Sequence, residues 1–360
     1  MTINNHFNDF YKNKKVLVTG HTGFKGSWLS IWLLYLGAEV IGYALDPYTS
    51  KDNFVLTDLS RKMTDIRGDI RDIEKFNSTV DQYKPEIIFH LAAQPIVRLS
   101  YDVPRETIET NVMGTTNVLE AFRRSKSANI LVIITSDKCY DNKEWIWGYR
   151  ENDPVGGYDP YSASKGAAEL ISSAYLRSFF NPVNFKKHEK VIATVRAGNV
   201  IGGGDWTKDR IIPDCIRALE DDKPIKVRNP QSVRPWQHVL EPLNGYLLLA
   251  SKIYTDPIKY SGAWNFGPNS DSVIKVKEVV EKIIKYYGKG TWKDTSNVKE
   301  LHEAKLLNLD ISKAKLLLGW HPVLNVEEAI QFTIQYYRRY IKEDVYKLCT
   351  KQIKGYTNLR

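Results

Sequence analysis

The sequence predicts an α/β fold, a doubly wound parallel sheet with a smaller mixed α/β domain attached. Three observations predict it. Short, continuous apolar runs alternate with helix-length segments through residues 1–200. The first apolar run ends in a glycine-rich turn that opens a helix, and after Gly202 the alternation gives way to longer, proline-bearing loops. Strands that are apolar at every position, not every second one, belong to a sheet covered by helices on both faces.

Taken in order, VLVT (16–19) is the first buried strand and the segment 23–36 its helix, with Gly37 as the stop. EVIGYAL (39–45), IIFHLAA (87–93), ILVIITS (130–136) and VIATVRAGNV (191–200) are the further strands. Helices are expected over 70–80, 107–125 and 162–180, then over 209–220, 275–287 and 326–341. The division that follows is a Rossmann-type dinucleotide-binding domain over 1–200, with a return to the sheet at about 237–265. Residues 201–236 and 266–360 form the substrate-binding domain at the carboxyl edge of the sheet, and Asn265-Phe266-Gly267 shapes the junction.

The 360 residues are 42% hydrophobic and 26% charged, the balance of a globular protein with a sizeable core. MTINNHFNDFYKNKK at the amino terminus is polar and basic, with no apolar stretch of signal-peptide length. The most apolar region, 28–45, contains Ser30, Gly37 and Glu39, so no membrane span is expected. The net charge of +9 comes from scattered lysines without an arginine-rich run or finger motif, so no nucleic-acid partner is expected. A basic surface instead suits a doubly phosphorylated small substrate. Cys139, Cys215 and Cys349 lack metal-ligand spacing, so no metal is expected, and their usage fits a reducing cytoplasm.

Gly20-His21-Thr22-Gly23-Phe24-Lys25-Gly26 follows a strand and opens a helix. Glycines there let the backbone turn tightly and approach a pyrophosphate, which then sits on the free N–H groups of the helix start. Asp46 ends the second strand, where an acid binds the adenosine ribose of NAD and repels a 2′-phosphate; it also suits a turn before Pro47. Gly68-Asp69-Ile70 is either an adenine-contacting turn or the cap of the 70–80 helix. Tyr161-Ser162-Ala163-Ser164-Lys165 places a phenol and an amine one helical turn apart, where an ammonium lowers a phenol's pKa toward use as a base.

With the glycine loop, HLAAQP (90–95), Asn111, TSDKCY (135–140) and YSASK in this order, the chain resembles an extended short-chain dehydrogenase/reductase over nearly its whole length. The resemblance implies NAD as cofactor, a triad of Ser136, Tyr161 and Lys165, and cofactor contacts from Leu91, Ala92, Ala93, Gln94, Asn111 and Thr135. Within that family, the nucleotide-sugar 4,6-dehydratases carry an acid-bearing pair after the triad hydroxyl, commonly Asp-Glu, which epimerases lack. Here the pair is Asp137-Lys138. Together with GHTGFKGSWL, AAQPIVRLSY, RAGNVIGGGDW and RPWQHVLEP it implies a dehydratase with CDP-glucose as the favoured substrate. Asp137 is then the acid for the C6 hydroxyl. Lys138 is the C5 base if neutral, or an electrostatic stabiliser of the enolate if charged.

Arg234 and then Arg210 are the candidates for the substrate diphosphate, and Arg98 reaches the hexose or a phosphate. By the same resemblance Asn199, Asp205 and Trp206 line the cleft; Trp206 or Trp236 either stacks a base or fills the core. The resemblance also implies a homodimer through helices carrying 111–122 and 161–180, or a tetramer, and a role in dideoxyhexose formation for a bacterial surface polysaccharide. Competing readings are a dehydratase for dTDP-glucose or GDP-mannose, a 4-epimerase, and a non-catalytic dinucleotide sensor.

Overall fold

The computed structural model describes residue 7, residues 9–296 and residues 306–360. The amino-terminal reading at 1–6 and 8, and the part of the second domain at 297–305, lie outside the described residues. Seven strands form one sheet: β1 (Lys15–Thr19), β2 (Glu39–Ala44), β3 (Thr64–Arg67), β4 (Ile87–His90), β5 (Ile130–Ile134), β6 (Val191–Arg196) and β7 (Gly262–Asn265). Their order is β7-β6-β5-β4-β1-β2-β3, and every pairing is parallel. Every residue of β4, β5 and β6 is buried, as the continuous apolar runs require. The order reverses between β1 and β4, which opens a crevice at the carboxyl ends of the strands.

The expected strands overshoot at this edge. Leu91 to Ala93, Thr135 and Ser136, and Ala197 to Asn199 leave the sheet. Their backbones find other partners: the Leu91 and Ala92 amides both donate to Thr19 Oγ1, and Asn199 turns into the left-handed region at φ 47°. β3 has no sequence signal because TDIR is a partly exposed edge strand with two charged residues, so no apolar run marks it.

The helices that position the site are α1 (Phe24–Tyr35), α2 (Gly114–Arg124), α3 (Pro160–Ser178) and α4 (Leu240–Ile253). The helix expected over 107–125 is broken. Pro104–Ile108 leads into a π-helical turn, Glu109–Met113, before α2 begins, and that turn carries buried Asn111. The helix expected over 70–80 runs Ile73–Tyr83 because its cap is Asp72, whose side chain accepts from the Lys75 amide.

Beyond β6 the chain adds helices Ile211–Glu220, Val276–Tyr287, Val326–Arg339 and Val345–Thr357. Three two-stranded pieces join them: Val200–Ile201 with Gln237–His238, Val233–Pro235 with Val273–Lys275, and Ile225–Val227 with Trp292–Asp294. One apolar core, including Trp28, Val132, Ile216 and Tyr336, runs through both the sheet and this region. Arg360 closes the carboxyl-terminal helix against α4, its guanidinium 3.0 Å from the fully buried Glu241 carboxylate. Glu241 also accepts from Val323 N, Leu324 N and Tyr356 Oη. Arg360→Met leaves that carboxylate buried without its cation. It is expected to lower the unfolding free energy by about 3 kcal/mol, read as a lower urea midpoint.

Candidate active site

The glycine loop is shaped as a cradle. Gly20 has φ 73°, and a Cβ there would lie 2.8 Å from the Ala92 amide nitrogen. A Cβ on Gly26 would lie 2.1 Å from Gly20 O, so only glycine lets α1 start this close to the turn. The N-cap of α1 is Gly23, which brings no side-chain cap, and the first turn holds no acid. Its N–H groups are therefore open to an anion. Thr22 Oγ1 ties the loop to Leu45 O at 3.0 Å, and the Phe24 ring packs over Gly202.

Asp46 is exposed just past β2, with Arg67 Nε 3.4 Å away. Asp69 caps no helix; it pairs with Arg71 at 2.6 Å, which holds its carboxyl below the usual range. Ile70 is buried, and its carbonyl takes the Asn117 amide. Sequence reasoning did not single out His21, whose buried ring bonds Asp65 at 2.8 Å and fills the space above Gly42. These features fit a dinucleotide: a collision-tight glycine turn, an uncapped helix start and an acid at the end of β2.

The turn after β4 is stitched to α3. The Gln94 amide donates to Asn111 Oδ1 at 2.8 Å, while Asn111 Nδ2 donates to Gln94 O at 3.1 Å and to Ser164 Oγ at 2.9 Å. Half-buried Ala93 lies on the same turn. Below it, His90 bridges Thr19 and Thr115, and burial pushes its pKa down to about 3, so the imidazole is neutral.

α3 starts where its sequence dictates. Asp159 is the N-cap, accepting from Ser162 N at 2.9 Å, and Pro160 sits at the first position, so Tyr161 falls in the first turn. A cap of this kind contributes about 1 kcal/mol. After β5, the Ser136 hydroxyl donates to Asp137 Oδ1 at 3.0 Å and accepts from Lys138 N at 3.2 Å, fixing a tight turn over Asp137–Cys139. Ser136, Asp137, Tyr161 and Lys165 are all buried, and Lys138 is half-buried. The Tyr161 phenol neighbours the Ser136 hydroxyl.

Several groups act on the phenol. Burial pushes Tyr161 up to about 12; Ser136 and the Arg210 guanidinium lower it, while Asp137 and Asp159 raise it. Lys165 lies one turn further along the same helix. Burial brings it down to about 8, opposed by Cys139 and by Glu169, one turn further along α3. Lys25 is lowered to about 7, by burial first and then by the charges of Arg210 and Lys165, with Asp137 opposing. The site thus gathers three basic side chains, buried Lys165 and half-buried Lys25 and Arg210, around Asp137 and the phenol.

Among the substrate candidates, Arg210 belongs with this group and is held by Asp205 at 3.1 Å. Asn199 gives its carbonyl to Gln237 N. Arg98 lies on the helix Val97–Asp102, which packs against α3. Arg234 lies on the strand Val233–Pro235 and donates to Val233 O. Trp206 and Trp236 lie in the core, with the Lys51 ammonium over the Trp206 ring at 4.7 Å. Trp206 is buried against Tyr337 and Tyr340, and Trp236 is buried with its indole N–H on Ile274 O. Apolar area decides this: burying rings of this size outweighs leaving them open in a cleft. Gly198 was missed. A Cβ there would lie 1.8 Å from Asp137 Oδ2, so the carboxylate occupies the space a side chain would need. The signal was present as the glycine in RAGNV at the end of β6.

The parallel sheet, glycine cradle and Ser–Tyr–Lys group define an enzyme of the extended short-chain dehydrogenase/reductase class. The chain matches the GDP-mannose 4,6 dehydratase family over residues 17–333 and belongs to that family. It is 50% identical over 344 residues, 96% of each chain, to the CDP-glucose 4,6-dehydratase of Salmonella typhimurium. It is 26% identical to a probable dTDP-glucose 4,6-dehydratase of Sinorhizobium fredii, over 90% of this chain and 92% of that one. Among solved structures, a dTDP-glucose 4,6-dehydratase from Bacillus anthracis in complex with NAD superposes with a TM-score of 0.73 at 22% identity, covering 91% of this chain and 97% of that one.

Proposed function

We propose that this chain is a CDP-glucose 4,6-dehydratase that converts CDP-D-glucose to CDP-4-keto-6-deoxy-D-glucose with loss of water and no net consumption of NAD. The observation that carries the reading is Asp137 buried on the Ser136 hydroxyl beside the Tyr161 phenol, in a chain half identical to an enzyme of that name. Residues 1–200, with the return at 237–265, hold the cofactor, and 201–236 with 266–360 hold the substrate.

Gly20, Thr22, Gly23, Phe24, Lys25 and Gly26 hold the NAD pyrophosphate, Asp46 the adenosine ribose, and the Asp69–Ile70 turn the adenine. Leu91 to Gln94, Asn111 and Thr135 frame the nicotinamide half. Bound there, NAD would supply a hydride acceptor that takes the hydride from C4 and gives it back at C6, so that no net NAD is consumed. Tyr161 takes the proton of the C4 hydroxyl, aided by Ser136 and the surrounding cations. The C4 ketone acidifies the C5 hydrogen. Asp137 gives a proton to the departing C6 hydroxyl, and Lys138 faces the C5 proton. Lys138→Ala is expected to slow C5 exchange in heavy water by about 100-fold. Exchange at the parent rate, read by mass spectrometry, removes Lys138 as the base.

Incubation with CDP-, dTDP-, GDP- and UDP-hexoses, followed by product masses, tests the function. Loss of one water from CDP-glucose alone supports it; unchanged mass favours an epimerase. The enzyme works in the cytoplasm as a homodimer in this reading. Ile108, Met113 and Leu170 are exposed on the helices around α2 and α3, and a second copy covers them. Leu170→Glu is expected to yield monomer by light scattering. The three cysteines are buried and unbridged, and no helix among the described residues is long and apolar enough to cross a membrane.

A further inference from the structure

Thr135 and Tyr140 bracket the segment that carries Ser136, Asp137 and Lys138, and one ion pair holds both ends. Glu169 on α3 is 4% exposed. Its Oε1 accepts from Thr135 Oγ1 at 2.5 Å, and its Oε2 accepts from Thr194 Oγ1 at 2.7 Å and from Arg196 at 2.8 Å. Arg196, at the end of β6, donates in turn to Tyr140 Oη at 2.6 Å and Glu151 O at 3.1 Å, and its guanidinium lies 4.7 Å from the centre of the Tyr140 ring. Tyr140 Oη passes a hydrogen bond to Asn265 Oδ1 at 2.8 Å, at the end of β7. The pair therefore ties β5, β6, β7 and the catalytic helix together beneath the acid-bearing turn. Neither residue is expected to touch substrate or cofactor, and nothing in the proposed reaction uses them.

We propose that Glu169 and Arg196 are positioning residues: they anchor the 135–140 segment at both ends and supply the carboxylate counter-charge for Lys165. The inference rests on the dehydratase reading for its kinetic consequences. Stability alone does not account for such a pair, because burying two charges costs about as much as their attraction returns, and apolar replacements of similar size are often neutral or better. The value of the pair lies in directed hydrogen bonds that an apolar pair cannot make.

The groups acting on Lys165 come from every side. Glu169 lies on its own helix and Cys139 on the turn after β5. Lys25 lies on α1 and His90 at the end of β4. The Cys139 thiol is pushed well above its ordinary range and stays neutral, as does His90. Lys25 repels. Glu169 is thus the carboxylate that opposes burial, which already brings Lys165 down to about 8. Without it the ammonium is lost at lower pH, so activity that needs the charge falls earlier as pH rises.

The test uses the double variant Glu169→Gln/Arg196→Met, which removes both charges together. Three measurements apply: the urea midpoint, the titration of the Lys165 Cε signal by 13C NMR in cofactor-free protein, and the pH dependence of kcat and KM with CDP-glucose. The expected result is a midpoint near the parent's and a Lys165 titration at lower pH than in the parent. The alkaline limb of kcat shifts with it, kcat at pH 8 falls about 100-fold and KM changes less than threefold. Glu169→Asp, which keeps the charge, should keep the limb near its parent position. A double variant with the parent's lysine titration, or with the parent's kcat profile, overturns the proposal. Should the double variant not fold, Tyr140→Phe decides the anchoring: it leaves the ion pair intact, removes the hydroxyl that accepts from Arg196 and is expected to lower kcat about tenfold, and a parent-like kcat overturns it. A parent protein that forms no dehydrated product sinks the functional reading instead, and the lysine titration still decides the counter-charge.

Discussion

Tyr161→Phe is expected to lower kcat by about 1000-fold or more with CDP-glucose, with little change in KM or in stability. The phenyl ring fits the same buried space, so the variant removes one oxygen and little else. That oxygen is the group adjacent to the Ser136 hydroxyl and open to the influence of Asp137 and Arg210. Burial pushes the phenol up to about 12. A base is needed near pH 7, so positive charge must bring the value down; Arg210 acts in that direction, and a cationic nicotinamide would add to it. Product formation followed by mass spectrometry checks this, and a variant within tenfold of the parent rules out the phenol as the base.

The second large effect is expected at a position with no reactive group. Gly198→Ala would place a methyl 1.8 Å from Asp137 Oδ2 and 2.2 Å from its Cγ. The carboxylate must then move and lose the Ser136 hydroxyl. Gly198 has no positive φ, so the cost is the contact and not the backbone, about 1–3 kcal/mol in stability. Elimination should slow about 100-fold or more, because the acid no longer meets the C6 hydroxyl. Oxidation at C4 does not use Asp137, so reduced cofactor should build up in a single turnover and show at 340 nm. Gly198→Ala with Asp137→Ala should regain the stability but not the turnover. An active single variant without that absorbance means that Asp137 tolerates displacement and is not the acid.

How much of this was legible differs from residue to residue. The GxxGxxG turn could be read because each glycine answers a local demand, a turn at Gly20 or a close approach at Gly26. Asp159-Pro160-Tyr161 could be read the same way, since capping and proline preference act within one turn. β3 could not: an edge strand needs no apolar face, and TDIR resembles a loop. The break at Glu109–Met113 was equally silent, because a single π-helical turn has no residue signature of its own, and here Asn111 bonds Gln94 and Ser164.

Periodicity, glycine placement and capping act over a few residues, so the sequence by itself determined the parallel sheet, the cofactor cradle and the presence of a phenol, an amine and an acid. Tertiary structure alone decided which charges face one another: Arg210 acts on the phenol; Glu169 serves Lys165; and Asp137 settles into the space above Gly198. It alone sent Trp206 and Trp236 into the core. The reason is range. Burial and ion pairing are set by partners brought together from distant segments, and no spacing along the chain encodes which of them will meet.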